Sequence, residues 1–236
     1  MKDRQIWVCG EVLIDLIPNK LGGKTPIVGG GPANTAKALA KIGLQSYLID
    51  GISSDEFGRL AQRELLEVGV NLEFAKRSNL ETCTAEVFLD QNGSASYKFK
   101  IKDTATFDFE RNWLPNPSEL VPSVLHIGTL VTVIEPGASV LYEWSNEVSK
   151  FAPVVLDPNI RPSVIPDRKM YLTAIEKWFA IATVIKVSEE DMNWLYPGDD
   201  IVNRAKNWLS DVTKLDRKST RLNSSHTDIS RMPSSA

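Results

Sequence analysis

Cysteine and histidine are scarce in this sequence, which holds two of each among its 236 residues. Cys9 lies in an apolar stretch and Cys83 stands far from it in the chain. No disulfide framework is therefore predicted, and a buried free thiol is the expected state of Cys9. The histidines form no cluster with cysteine of the kind that binds a structural metal. His126, in an apolar run, is expected to be a core histidine whose ring nitrogens are hydrogen-bonded.

Excess charge of one sign and long apolar runs are also lacking. The net charge is −3 and 42% of the residues are hydrophobic, which is typical of a soluble globular protein. Mild acidity gives no support for a nucleic-acid partner, and the apolar runs are only strand-length, which excludes a membrane partner. Residues 1–4 lead straight into a short strand, so we predict no signal peptide and expect a cytoplasmic protein.

The most informative stretch is glycine-rich and runs from residue 29 to residue 43. Gly29, Gly30 and Gly31 precede an alanine-rich segment whose Pro32 suits a first helical turn. Glycine lets a ligand approach the backbone, and the free N–H groups at a helix start can hold oxygen atoms. Asn34 both donates and accepts hydrogen bonds, as a hydroxyl-rich ligand requires. A purely structural turn explains the same pattern.

Two phosphate-binding loops are excluded at this stretch. A dinucleotide fingerprint would need glycine where Asn34 stands and would follow the first strand, at residues 6–10, directly. Asp50 lies at a suitable distance for a ribose contact, but the turn before it is wrong. The run at 23–25 resembles the end of a Walker loop, but Pro18 occupies the position of its first glycine. A dinucleotide-dependent oxidoreductase is thus a weak alternative, which NAD binding would support.

Strands and helices alternate along the chain, which predicts a parallel sheet covered by helices. Ser53 and Glu56 have the spacing of a capping box for the second helix. The predicted strands cover residues 6–10, 12–17, 46–51, 123–130, 154–157 and 184–188. The predicted helices begin near residues 32, 53, 136, 170, 188 and 201.

A hairpin interrupts this alternation. Residues 83–90 and 95–101 each alternate between apolar and polar positions, and the turn between them reads Gln91-Asn92-Gly93. The apolar face of the hairpin either packs on the main sheet or forms a lid over the glycine-rich turn. Lys98 and Lys100 lie on its polar face.

Polar side chains follow the strand at 154–157. Asp157, Asn159 and Arg161 lie at the carboxyl end of that strand, where ligands bind in open α/β sheets. Arg161 offers a rigid fork for phosphate or carboxylate, and a local Asp157–Arg161 pair is the structural alternative. Asp15 is a carboxylate among apolar neighbours, so it either accepts bonds from substrate hydroxyls or is solvated at a strand end.

The last residues differ in character from the rest. From Asp216 the chain is rich in serine and arginine and has no amphipathic period, which is typical of a disordered tail. Residues 216–226 and 230–236 also look like the in-frame translation of a common sequencing adapter. We therefore expect residues 216–236 to be non-native and exclude them, with His226, from the functional interpretation.

With these motifs placed, the chain resembles the PfkB, or ribokinase-like, family of ATP-dependent carbohydrate kinases, and within it the bacterial fructokinases. The resemblance covers residues 6–215 and rests on the motifs at 10–15, 29–36, 157–161 and 186–191 and on the hairpin. It implies an α/β protein with a ribokinase-like three-layer α/β/α fold, a mainly parallel sheet and a small β-hairpin lid at about 83–101. Residues 1–215 would be a partial kinase domain whose C-terminal part is missing.

The resemblance also implies roles for particular residues. Asp15, Gly30, Gly31 and Asn34 would hold sugar hydroxyls, and Phe99 from the lid would contact the sugar.

The nucleotide side of the site is implied in the same way. Arg161 would face the phosphoryl-transfer region, and Lys186, Ser188 and Asp191 would lie in the phosphate region. The family's Asn-x-x-Glu, which orders Mg²⁺ and phosphate through water, reads Ser-x-x-Asp here, so Asp191 is the candidate metal contact. ATP and Mg²⁺ are the implied cofactors of the complete protein.

One family motif is absent. The Gly-Ala-Gly-Asp that supplies the anion hole and the catalytic base occurs nowhere in this sequence and is expected beyond Leu215. We therefore predict a sugar kinase by family that is inactive as written, with no catalytic base among its residues. The alternatives are 2-keto-3-deoxygluconate kinase, for which Lys98, Lys100 or Arg161 would supply a cation, and a non-catalytic sugar-binding module. Lid hairpins of this family often mediate dimers, which implies a homodimer through the lid.

Overall fold

The structure is a computed structural model that describes residues 4–89 and 95–208. Its strands are β1 (Gln5–Cys9), β2 (Leu13–Pro18), β3 (Lys24–Gly29), β4 (Gln45–Ile49), β5 (Gly51–Ser53), β6 (Lys76–Ser78), β7 (Thr84–Leu89), β8 (Ala95–Lys100), β9 (Val124–Gly128), β10 (Val154–Asp157) and β11 (Val184–Ile185). Its α-helices are α1 (Gly31–Lys41), α2 (Glu56–Glu67), α3 (Gly137–Val148), α4 (Arg168–Phe179), α5 (Glu189–Leu195) and α6 (Ile201–Asn207). Short 3₁₀ segments lie at Ala105–Phe107, Arg111–Trp113 and Thr129–Thr132.

The central sheet is parallel throughout, with strand order β11-β10-β9-β1-β4. Successive side chains of a strand point to opposite faces, and β1 shows this clearly. Trp7 and Cys9 belong to a core that includes residues of α3 and α4, whereas Val8 belongs to a second core with residues of α1 and α2. The predicted α/β fold with a mainly parallel sheet between helical layers is confirmed.

Helices cover only part of the face of the central sheet to which Val8 points. Val8 pairs with His126 of β9, and His126 pairs with Val155 of β10, so these side chains share one face. Val124, Val155 and Val184 on that face are half-buried and belong to neither core. Helix α1 contacts β1, β4 and β9. The outer strands of this face therefore carry apolar side chains that remain partly open to solvent.

The hairpin forms part of a second sheet. β7 and β8 are antiparallel, as predicted, and join β2 and β3 in the order β3-β2-β7-β8. We call this four-stranded sheet the lid sheet. The strand β3 was not predicted, and the predicted turn at 91–93 lies outside the described residues. The hairpin therefore pairs within the lid sheet and not with the central sheet.

The capping prediction for α2 is wrong. Asp55 is the cap residue, and its Oδ1 accepts from the Gly58 N–H at 2.7 Å. Asp55 also accepts from the backbone N–H of Thr82 at 2.8 Å and from the Thr82 hydroxyl at 2.6 Å. The Ser53 hydroxyl instead accepts from the Asp55 N–H at 3.0 Å. The extra contacts with Thr82 explain why Asp55 is the cap.

The calls for the chain's last segment cannot be compared with the structure, because residues 209–236 lie outside the described part. Within residues 4–89 and 95–208, no helix combines the length and apolarity needed to cross a membrane.

Candidate sugar and phosphate site

The glycine-rich stretch connects the lid sheet to the central layer. β3 ends at Gly29, and Gly30 precedes α1 with a φ of 107°, a conformation that glycine adopts readily. A Cβ atom on Gly30 would collide with the Glu11 carbonyl oxygen, and one on Gly29 would collide with the Asp15 carboxylate. Pro32 is buried in the first turn of α1, as its position predicts. Glycine is therefore required at 30 by the backbone, and a side chain at 29 would displace the Asp15 carboxylate.

Three separate loops meet at the amino end of α1. A Cβ atom on Gly31 would lie 3.1 Å from Thr129 Cγ2 and 3.2 Å from Asn159 Nδ2. Thr129 follows β9 and Asn159 follows β10, so both come from carboxyl ends of parallel strands. Backbone N–H groups at the start of a helix bind ligand oxygens or anions well. The glycine-rich turn therefore lies next to the 157–161 stretch.

Asn34 lies one turn into α1 and its side chain is exposed. Its backbone N–H donates to the Gly30 carbonyl at 2.9 Å, so the helix begins tightly.

Glu11 is a buried carboxylate beside this turn. The Thr129 hydroxyl donates to Glu11 Oε2, and Thr129 itself has a φ of 66°. Burial raises the pKa of Glu11 to about 7, while the Thr129 hydrogen bond and the Arg161 charge act to lower it. Sequence reasoning gave Glu11 no role, although a carboxylate directly after a buried strand was the available signal.

Arg161 is held by its own loop. Its Nη1 donates to Asn159 Oδ1 at 2.9 Å and to the Ile160 carbonyl at 3.0 Å. Its charge lowers the pKa of Asp15 and of Asp191, although burial raises the pKa of both overall. The alternative of a local Asp157–Arg161 pair is wrong, because Asp157 pairs with Lys186 at 3.0 Å.

Asp15 and Phe99 lie on the same face of the lid sheet. Asp15 of β2 is opposite Ala85 of β7, and Ala85 is opposite Phe99 of β8. Both side chains are half-buried. Burial raises the pKa of Asp15, and the charges of Arg161 and Lys37 partly offset this. In the described part of the chain, no group donates a hydrogen bond to the Asp15 carboxylate, which leaves its oxygens available to a ligand.

Lys98 and Lys100 do not share that face. Each alternates with Phe99 along β8 and lies opposite Glu86 and Thr84 respectively. Lys100 pairs with Glu81. Of the three cations considered for an acidic sugar, Arg161 is the one whose charge acts on the pKa of Asp15.

The phosphate-region candidates lie at the end of β11. The Ser188 hydroxyl caps α5 by accepting from the Asp191 N–H at 3.0 Å, and this helix begins where the sequence predicts. Asp191 Oδ1 accepts from the Ile160 N–H at 3.1 Å, which ties α5 to the loop that carries Arg161. Lys186 is exposed and paired with Asp157. Within the described residues, no group of three or more acidic, histidine or cysteine side chains is placed to hold a metal ion.

His126 differs from the expected satisfied core histidine. Its ring is half-buried on the partly open sheet face, and Nδ1 is buried without a hydrogen-bond partner among the described residues. Burial lowers its pKa, and the nearby Asp157 charge opposes this.

Known proteins share this architecture. Residues 3–218 match the model of the pfkB family carbohydrate kinases. The fructokinase of Escherichia coli is 30% identical over 189 residues, which cover 79% of this chain and 61% of that protein. The fructokinase of Rhizobium leguminosarum bv. trifolii is 30% identical over 214 residues, which cover 89% of this chain and 65% of that protein.

Solved structures of fructokinases are also similar to this chain in fold. A fructokinase from Xylella fastidiosa with bound ATP superposes with a TM-score of 0.80 at 25% identity, over 87% of this chain and 65% of that one. The chain thus spans a little under two thirds of the length of these relatives. With a family model matched along nearly its whole described length, the chain belongs to the pfkB family of carbohydrate kinases.

Proposed function

We propose that this chain is the sugar-binding part of an ATP-dependent, fructokinase-like kinase that transfers the γ-phosphoryl group of ATP to a sugar hydroxyl. The observation that carries the proposal is the convergence at the amino end of α1. There Gly31 approaches Asn159, and the nearby Gly29 packs against the Asp15 carboxylate, whose pKa the charge of Arg161 acts to lower.

A sugar needs acceptors, donors and an apolar contact at one place. Asp15 supplies carboxylate oxygens, Asn34 supplies an amide, and the start of α1 supplies N–H groups. Phe99 shares the lid face of Asp15 and offers a ring against which a sugar can pack. We propose that these residues, with Gly30 and Gly31, bind the sugar.

The nucleotide is assigned to the neighbouring loops. Arg161 would neutralise transferring phosphate, and Lys186 and Ser188 lie at the adjacent strand end. Mg²⁺, when bound with ATP, would neutralise phosphate charge. Asp191, whose Oδ1 accepts from the Ile160 N–H, would contact that metal through water, as the family motif implies.

Phosphoryl transfer by this chain alone is not expected. The Gly-Ala-Gly-Asp that supplies the base and anion hole in the family does not occur in the sequence. The chain would then act as a binding module for sugar. An acidic sugar such as 2-keto-3-deoxygluconate is the second candidate substrate, and the charge of Arg161, which acts to lower the pKa of Asp15, is the observation that favours it.

We also propose a homodimer through the lid sheet. Phe88 and Tyr97 are large, exposed side chains on opposite faces of that sheet. Sedimentation velocity of the full chain, with Tyr97→Ser as the variant, tests this, and a monomer at all concentrations would contradict it.

Calorimetric titration with fructose and with 2-keto-3-deoxygluconate tests the proposed site. Asp15→Asn is expected to weaken fructose binding about tenfold or more, because a carboxylate that accepts from hydroxyls makes charge-assisted bonds. The matched control is Asp103→Asn, at an exposed position whose φ of 55° suits asparagine. Absence of binding by the parent chain, or equal binding by both variants, would overturn the proposal.

A further inference from the structure

Asp50 is a buried carboxylate that the proposed site does not use. It directly follows β4 and is fully buried. Its Oδ2 accepts from the Val12 N–H at 2.6 Å, and its Oδ1 accepts from the Gly51 N–H at 2.8 Å. The Thr106 hydroxyl lies 3.1 Å from Oδ2. Two backbone donors and one hydroxyl therefore converge on this one side chain.

These contacts join the two ends of the lid sheet. Val12 immediately precedes β2, and Thr106 lies in the 3₁₀ segment that follows β8. The Thr106 hydroxyl also lies 2.8 Å from the Val12 carbonyl, so Val12 is contacted through both its N–H and its C=O. We call the cluster of Asp50, Val12 and Thr106 the lid root.

The lid root has little room to shift. A Cβ atom on Gly51 would overlap the Ala105 carbonyl, so the backbones after β4 and after β8 are in direct contact. A buried carboxylate is costly unless it is hydrogen-bonded, and burial together with the Glu11 charge raises the pKa of Asp50. Fully satisfied polar networks of this kind fix one arrangement of the chain.

The lid root connects to the sugar site through strand register. The residue after Val12 is Leu13, which pairs with Gly29, and Asp15 lies opposite Ile27 in the same ladder. The Asp15 carboxylate then packs directly against Gly29. A displacement of Val12 would therefore move Asp15 relative to the glycine-rich turn.

We propose that Asp50 is a positioning residue that, with Thr106, anchors the lid root and so holds Asp15 in place for sugar binding. This inference rests on the proposed sugar-binding function. In this inference Asp50 does not contact the sugar but holds Val12, and through it the strand β2 that carries Asp15.

The experiment uses the full chain with the variants Thr106→Val, Thr106→Ser and Asp50→Asn. Thr106→Val keeps the side-chain volume and removes the hydroxyl, whereas Thr106→Ser keeps the hydroxyl. Thr173→Val is the control, because its hydroxyl bonds the Lys169 carbonyl on the exposed face of α4. Fructose affinity is measured by calorimetry. Stability is measured as the midpoint of urea unfolding, and amide hydrogen exchange is measured by mass spectrometry.

We expect Thr106→Val and Asp50→Asn to weaken fructose binding about tenfold while Thr106→Ser and Thr173→Val retain it. In Thr106→Val and Asp50→Asn, amide hydrogen exchange should accelerate in β2 and β7 but not in β9 and β10. Lost stability with unchanged fructose affinity would show a purely structural role and overturn the inference.

The failure of the proposed function is distinguishable. If the parent chain binds no fructose, that function is wrong, and the exchange measurement alone decides whether the lid root is an anchor. Selective loss of protection in β2 and β7 then supports the anchor, and uniform or absent change overturns it.

Discussion

The two faces of the central sheet carry similar apolar side chains but differ in their cover. Val154 and Leu156 of β10 point to the face packed by α3 and α4 and are fully buried. Val155, between them, points to the other face and stays half-buried outside both cores. Near-continuous apolar strands are typical of parallel sheets covered on both faces. The strand sequence alone therefore does not tell which of its side chains contribute fully to stability.

The largest expected effect lies on the covered face. Trp144 of α3 is fully buried, stacks on Trp7 with centroids 5.9 Å apart, and donates from Nε1 to the Pro115 carbonyl at 2.8 Å. Trp144→Ala should lower the free energy of unfolding by about 3–5 kcal/mol, because it leaves a large cavity and an unpaired carbonyl. Urea unfolding measures this, and a loss below about 1 kcal/mol would contradict the described packing.

The pKa of Glu11 gives a second way to test how fully a side chain is buried. The pKa of Glu11 is about 7 in the folded chain against an ordinary 4.5, so the folded state binds more protons between these values. The free energy of unfolding should therefore fall by about 3 kcal/mol as pH rises from 4.5 to 7, and level off above. Glu11→Gln should remove this fall and be the more stable protein above pH 7.

Urea midpoints at several pH values compare Glu11→Gln with the parent, since the other buried carboxylates are common to both. Thr129→Ala should raise the pKa of Glu11 further, because it deletes the hydrogen bond that lowers it. Parallel pH profiles for parent and Glu11→Gln would show that Glu11 is not enclosed.

The smallest expected change in stability comes from placing the same substitution on each face of the central sheet. Val154→Thr places a hydroxyl in the closed core and should cost about 1–3 kcal/mol of unfolding free energy. Val155→Thr makes the same change at the next residue, on the partly open face, and should cost less than about 0.5 kcal/mol. Equal losses in urea unfolding would mean that the two faces are covered alike.

Periodic segments were predictable from sequence, and exceptions follow from distant contacts. The strands β1 and β10 and the helices α1 and α4 appear where apolar spacing places them. β3 was not predicted; it contains Pro26, a residue that is tolerated on an edge strand such as this one. Local spacing also favoured Ser53 as a cap, whereas Thr82, far along the chain, makes Asp55 the cap.

The segments of the candidate site could be picked out from the sequence, but not all of the contacts between them. The glycine-rich turn, Asp15 and the 157–161 stretch were recognisable from residue type and strand ends. The partner of Asp157 was not, because strand register places Lys186 beside it while sequence proximity suggested Arg161. The contact between Thr129 and Glu11 likewise joins segments that no local pattern relates.

The lid sheet imposes an order on folding. Its strands come from two separate stretches of chain, and the parallel pair of β2 with β7 spans α1, β4 and α2. Closing so long a loop is entropically costly until the intervening segment is compact. During synthesis, β2 and β3 can pair as they emerge, but the free edge of β2 must wait for β7. The β2–β7 pairing should therefore form after the α1–β4–α2 unit, which is the template on which the lid sheet closes.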